Sequence, residues 1–152
     1  MREVVLDTET TGLDFKLGDR VIEVGCVELI NHVSTGKTLQ FYCSVEKKIH
    51  ESASKVHGLS NDFLNKYPPF KANVESFLNF IKNDILVIHN SEFDMGFINN
   101  ELSILGMSPL KNKVIDTVSL ARKTLNSRMA NLDYLCRRFN IDLAERKLHG
   151  AL

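Results

Sequence analysis

Asp7 and Glu9 stand two residues apart, directly after the aliphatic run Val4-Val5-Leu6. Side chains two apart in a strand project to the same side, so the pair sets two carboxylates on one face at the mouth of a buried strand. Like charges held that close in a partly desolvated place raise each other's pKa unless a cation lies between them. A divalent metal ion is the simplest such cation, and a solvated strand end is the plainer alternative. Thr10-Thr11-Gly12 reads as a turn, so the strand is expected to stop where the carboxylates begin, with their oxygens at an accessible edge.

A third acid, Asp94, falls in the first turn of a predicted helix and shares its face with Phe97 and Ile98. Its side chain therefore starts toward the sheet, although a carboxylate there also complements the helix dipole. An inward acid needs a partner. Asp7, Glu9 and Asp94 together offer the hard oxygen ligands preferred by Mg²⁺ or Mn²⁺, with water filling the remaining positions. His149, followed by Gly150, is the candidate general base. An imidazole with its ordinary pKa of about 6.5 takes a proton from water near neutral pH.

These groups come from distant stretches of chain, so the fold must gather them. Residues 21–30 alternate as a strand, with Val21, Glu23, Gly25, Val27 and Leu29 on one side. Residues 31–37, containing Ser34, Thr35 and Gly36, read as a turn, and 38–44 as a third strand presenting Leu39, Phe41 and Cys43. The first three strands thus read as an antiparallel meander. Residues 47–58 are polar and irregular, and a short helical stretch near 61–66 meets Pro68-Pro69, which cannot continue it. Residues 72–82 carry Val74, Phe77, Leu78 and Ile81 at helical spacing, and 85–88 form a short apolar strand of the buried parallel kind.

After His89-Asn90-Ser91, a helix from about Glu92 carries the stripe Phe93, Phe97, Ile98, Leu102 and Leu105 and ends at Gly106, with Pro109 just beyond. Residues 114–115 read as a fifth strand, and Asp116-Thr117 caps a helix over 118–125. Asn131 caps a last helix with Leu132, Leu135 and Phe139 inward. An antiparallel hairpin feeding a βαβ series predicts an α/β fold: a mixed five-stranded sheet, three antiparallel strands then parallel strands, flanked by helices. Sites in such sheets lie beyond the carboxyl ends of the parallel strands, where Asp7, Glu9, His89 and Asn90 fall.

At 152 residues, 43% hydrophobic and 25% charged, the chain has the make-up of one globular domain. Nothing at Met1-Arg2-Glu3 reads as a signal peptide and no run approaches membrane-spanning length, so a cytoplasmic protein with no membrane partner is expected. Cys26, Cys43 and Cys136 are odd in number and lack CxxC spacing, which speaks against a disulfide framework or a zinc site. A formal net charge of zero argues against holding nucleic acid by bulk electrostatics, so any grip must be local. The late cationic groups Arg122-Lys123, Arg128, Arg137-Arg138 and Arg146-Lys147 read first as solvated faces.

Five segments carry a resemblance. Val5-Leu6-Asp7-Thr8-Glu9-Thr10-Thr11-Gly12, Val56-His57-Gly58, Val87-Ile88-His89-Asn90-Ser91-Glu92-Phe93-Asp94, Asp116-Thr117 with Ala121-Arg122, and Leu148-His149-Gly150-Ala151-Leu152 follow one another in order. Together they resemble the DEDDh exonucleases, and within them the branch formed by the proofreading (epsilon) subunits of bacterial DNA polymerase III. The similarity covers essentially the whole chain. It implies a ribonuclease H-like fold, Asp7, Glu9 and Asp94 as ligands of two Mg²⁺ or Mn²⁺ ions, and His149 as general base. It also implies that His57 is a loop histidine lying against the terminal nucleotide, with Asp7, Thr8, Glu9 and Thr10 lining the same substrate pocket. His89 and Asn90 would border that pocket, chiefly holding its shape.

The implied reaction is hydrolysis at the 3' end of DNA, single-stranded or frayed, releasing 5'-monophosphates. A mispaired end melts more easily, which supplies selectivity without base reading. The implied partner is the polymerase catalytic subunit of the replicative holoenzyme. It would deliver substrate at high effective concentration and so agree with the neutral charge. The isolated domain is expected to be a monomer. The family places a fourth acid, an aspartate, five residues after the histidine, at position 154, whereas the sequence ends at Leu152. Residues 1–152 are therefore expected to be a single exonuclease domain without its C-terminal helix, either part of a longer protein or an inactive polymerase-binding module. A free-standing exonuclease acting on RNA or repair intermediates stays open.

Overall fold

A computed structural model describes residues 1–144, 146 and 148–152. Strands β1 (Arg2–Thr10), β2 (Val21–Ile30), β3 (Val33–Tyr42), β4 (Ile85–Ile88) and β5 (Val114–Asp116) form a sheet in the order β3-β2-β1-β4-β5. The first three are antiparallel, and β4 and β5 run parallel to β1. Helices α1 (Glu51–His57), α2 (Asn61–Leu64), α3 (Val74–Ile81), α4 (Ser91–Ile104), α5 (Thr117–Leu125) and α6 (Leu132–Arg138) complete the fold. The α/β mixed sheet flanked by helices is the architecture that the strand and helix periods predict.

Alternation along β1 decides which groups meet the core. Val4 and Leu6 join Val24, Cys26, Leu86 and Ile88 of the sheet, against Phe77 and Ile81 of α3 and Phe97, Ile98 and Leu102 of α4. Asp7 and Glu9 fall on the opposite parity and stay off this cluster. All three cysteines are buried and free. Among the described residues, no helix is long and apolar enough to cross a membrane.

Several boundaries differ from the sequence reading, each for a local reason. β1 does not stop at its carboxylates but continues to Thr10, with a register shift between Glu9 and Thr10. The hairpin turn is not 31–37 but Asn31-His32, both left-handed at φ +49° and +68°, as in the tight two-residue hairpin turns. Ser34-Thr35-Gly36 lies inside β3, at an irregularity opposite the Val27/Leu29 stretch, with Gly36 at φ +83°. Within the polar stretch 47–58 a helix forms after all. It buries only His57, so it has no apolar stripe to betray it. α2 ends at Leu64 and α3 begins at Val74, a 3₁₀ turn taking Phe70–Ala72. In α6, Leu135 is buried as expected, whereas Leu132 and Phe139 are exposed rather than inward.

One cap ties the elements that matter most. Asp116 caps α5 as predicted, accepting the Val118 and Ser119 N–H groups at 2.8 and 3.2 Å. Its other oxygen accepts the Ser91 N–H and hydroxyl at 2.8 and 2.9 Å. The same carboxylate thus fixes the starts of α4 and α5, and with them the first turn that carries Asp94.

Candidate active site

β4 pairs with β1 only over Glu3–Val5, which leaves the rest of that edge of β1 without a strand partner. A backbone N–H on such an edge must find another acceptor. Asp94 provides it: one carboxylate oxygen accepts the Thr8 N–H at 2.9 Å and the Thr8 hydroxyl at 2.7 Å. The inward orientation expected for Asp94 is thus realised, and its partner is Thr8. On the other side of β1, Asp7 stands opposite Gly25 and Glu9 opposite Glu23. Directly paired residues share a face, so Asp7, Glu9 and Glu23 present three acids together.

Electrostatics follow from this crowding. Asp7 keeps contact with solvent at the strand end, yet desolvation by the atoms packed around it pushes its carboxyl up to about 6, helped by Glu23 and opposed by the Thr8 N–H and Arg146. Glu9 is pushed up to about 8, first by burial and then by the charges of Asp7, Glu23 and Asp94. Asp94 is pushed up to about 7 by burial and by Asp7, against the Thr8 bonds that favour its charged form. Glu23 is raised by burial as well. Arg146 acts on both Asp7 and Glu9, yet its guanidinium is already engaged by Asp133 at 2.9 Å and by His149 Nδ1 at 2.9 Å. Lys147, its neighbour, lies outside the described residues.

These acids suit a divalent cation in donor chemistry and in charge. Their ionisation is disfavoured in its absence, and the local positive charge is insufficient to offset it. They are not a preformed cage: among the described residues, no three His, Cys, Asp or Glu side chains are already gathered closely enough to hold a metal ion.

The histidines take different positions. His149 is exposed, and its N–H donates to the Val56 carbonyl at 3.0 Å. Its ring borders a small cavity lined by Asp133, Leu143, Arg146 and Leu148 rather than the hollow lined by Glu9. His57 belongs to the end of α1, not to a loop. Its Nδ1 accepts the Leu59 N–H at 3.0 Å, which assigns the ring proton to Nε2 and its 3.2 Å bond to the Thr10 carbonyl. Burial holds its pKa below the ordinary histidine value. His89 Nδ1 pairs with the Thr117 hydroxyl at 2.9 Å, between the β4 end and α5. Asn90, left-handed at φ +69°, is the residue from which α4 starts.

A cavity of about 310 Å³ opens beside the acids, lined by Thr8, Glu9 and Thr10 and walled by Leu13, Val56, His57 and Phe93. The Thr10 hydroxyl donates to the Gly12 carbonyl at 2.6 Å, shaping its rim. Sequence reasoning missed Glu23, Arg146, Leu13 and the Phe93 wall. Glu23 carried a usable signal, an acid on the same strand face as Gly25 in a run otherwise apolar. Arg146 carried none.

Three raised carboxylates thus lie near the C-terminal end of β1, and comparison with known proteins gives the class. The exonuclease family model RNase_T matches residues 4–152. DNA polymerase III subunit epsilon of Rickettsia prowazekii (strain Madrid E) is 44% identical over 156 residues, spanning 100% of this chain and 68% of that protein. Among solved structures, the zinc-bound E. coli ExoI–ssDNA complex superposes with a TM-score of 0.83 at 17% identity, over 99% of this chain and 37% of that one. The nuclease domain of 3'hExo, a DEDDh family member bound to rAMP, gives 0.80 at 16% identity, over 95% and 82%. This chain belongs to the exonuclease family, whose members of this kind are metal-dependent.

Proposed function

We propose that this domain removes nucleotides from DNA 3' ends as the 3'-5' exonuclease of a replicative polymerase, proofreading its product. The observation that carries the reading is the group Asp7, Glu9 and Asp94, acids pushed up to about 6, 8 and 7 beside a nucleotide-sized hollow. The relative named as a subunit of DNA polymerase III supports the choice of DNA and of a polymerase partner.

Asp7, Glu9 and Asp94 would hold Mg²⁺ or Mn²⁺, two ions in the proposal. Bound there, the metal supplies Lewis-acid activation of water and stabilisation of the departing 3' oxygen. Thr8 keeps Asp94 at the edge of β1 through two hydrogen bonds. The terminal nucleotide fits the cavity beside Glu9, whose volume falls at the lower end of small-ligand sites, about 300–1,000 Å³. There Leu13, Val56 and Phe93 offer apolar walls for a base, while His57 and Thr10 hold one side rigid.

His149 takes the water's proton. Arg146 donates to its Nδ1, which places the ring proton on Nε2, so general-base work requires the ring to turn and Nδ1 to leave Arg146. His89 and Asn90 keep the start of α4 in place.

The test is release of 5'-mononucleotides from single-stranded and 3'-mispaired DNA and from RNA, with Mn²⁺ and with chelator. It is run on this chain and on a form continued past Leu152 with an aspartate at position 154. Metal-dependent release from DNA 3' ends, faster at a mispair, is the expected result. Release from RNA alone would favour a free-standing RNA exonuclease. No release from either folded form would leave a binding module.

A further inference from the structure

The stretch that bears His149 belongs to no helix or strand, yet it is held at two points, one on each side of the histidine. Ahead of it, the Leu148 side chain packs on Gly58, where a Cβ would come within 2.6 Å of it. The His149 N–H then donates to Val56 at 3.0 Å. Behind it, Ala151 is buried and lies across β2 at Gly25. A Cβ on Gly25 would overlap the Ala151 carbonyl and come within 2.8 Å of the Leu152 nitrogen. Beside it on the same face of β2, the Glu23 carboxylate is held by Gln40 at 3.1 Å.

We infer that Gly25 forms the seat that positions His149, a notch on β2 that fixes the backbone after the histidine and leaves its ring to turn once Nδ1 parts from Arg146. The inference rests on the proposed role of His149 as base. Gly25 faces Asp7 across the β1–β2 register, so the notch lays the histidine's segment beside the first carboxylate. Its backbone is not among those at positive φ, so the glycine is required by the close approach of Ala151 and not by its own conformation. Gly25 is a positioning residue: it acts through His149 and not on substrate.

Gly25→Ala is suited to the test, because alanine is tolerated in a strand and the sheet should stay intact or gain slightly. Amide hydrogen exchange read by NMR on this chain should show protection at His149 and Ala151 falling at least about tenfold, with β1 and β2 amides unchanged. In the nuclease assay, kcat of Gly25→Ala should fall at least about tenfold with KM within about twofold. The same substitution added to His149→Ala should cause no further loss, as for residues that act as a unit. Unchanged protection in Gly25→Ala, or losses that multiply in full in the double variant, would overturn the seat. Undiminished activity in His149→Ala would instead refute the base assignment, and the exchange data would still decide whether the seat exists.

Discussion

At the N-terminal end of β1, Glu3 is buried yet meets His32, whose Nδ1 lies 2.6 Å from one oxygen and whose N–H donates to the other at 3.0 Å. On the adjoining strand, Glu28 is bound by Arg2 and by the Thr35 hydroxyl, and its carboxyl is held below the usual range, first by the Arg2 bond. At the C-terminal end of β1, Asp7 and Glu9, with Asp94 of α4 nearby, are all raised. The contrast separates two uses of an acid on one sheet. Where a carboxylate serves the fold, the chain supplies its donors, as Arg20 does for Glu101 through bonds of 2.7 and 2.8 Å. At the site the positive charge is left short, and a ligand from solution can complete it.

Substitutions should expose that difference. Asp7→Asn, Glu9→Gln or Asp94→Asn should each lower nucleotide release by at least about 10³-fold, measured as steady-state rate in the active form. None should lower the melting temperature of the metal-free protein. Glu101→Ala should do the reverse, leaving activity per folded molecule intact but costing about 1–3 kcal/mol through the lost bonds to the partly exposed Arg20, read by urea denaturation. His149→Ala should slow the reaction by about 10²–10⁴-fold while the melting shift produced by Mn²⁺ persists.

The smallest effect concerns pH. The three site acids bind protons more tightly folded than unfolded, so their contribution to stability is fully present below about pH 4 and is lost as pH rises through about 6 to 8. Metal-free protein should lose a few degrees of melting temperature across that interval. The combined Asp7→Asn and Glu9→Gln variant should lose less. Saturating Mg²⁺ should cancel the decline, because it favours the ionised forms.

What was legible in the sequence followed from strong local periods. The run from Val4 to Leu6, the stripe from Phe93 to Leu102 and the caps at Asp116 and Asn131 each name an element that the structure contains. Asp94 was legible as an inward acid because it shares the helical face of Phe97 and Ile98, both buried. Two of the errors share a cause, which is that polar residues can build regular structure when tertiary partners hold them. Asn31-His32 makes the turn that Ser34-Thr35-Gly36 imitated, and α1 forms without an apolar stripe. Arg146 and the seat at Gly25 depend on the docking of residues far along the chain, which no local pattern encodes.

The shortage of positive charge around Asp7, Glu9 and Asp94 can be measured directly by ¹³C NMR titration of their carboxyl carbons, with and without Mg²⁺. Without the ion, their midpoints should lie above the ordinary carboxylate range, between about 6 and 8, and with it they should fall below about 4.5. Midpoints near 4 for all three, unmoved by Mg²⁺, would contradict a metal-holding centre at the edge of β1.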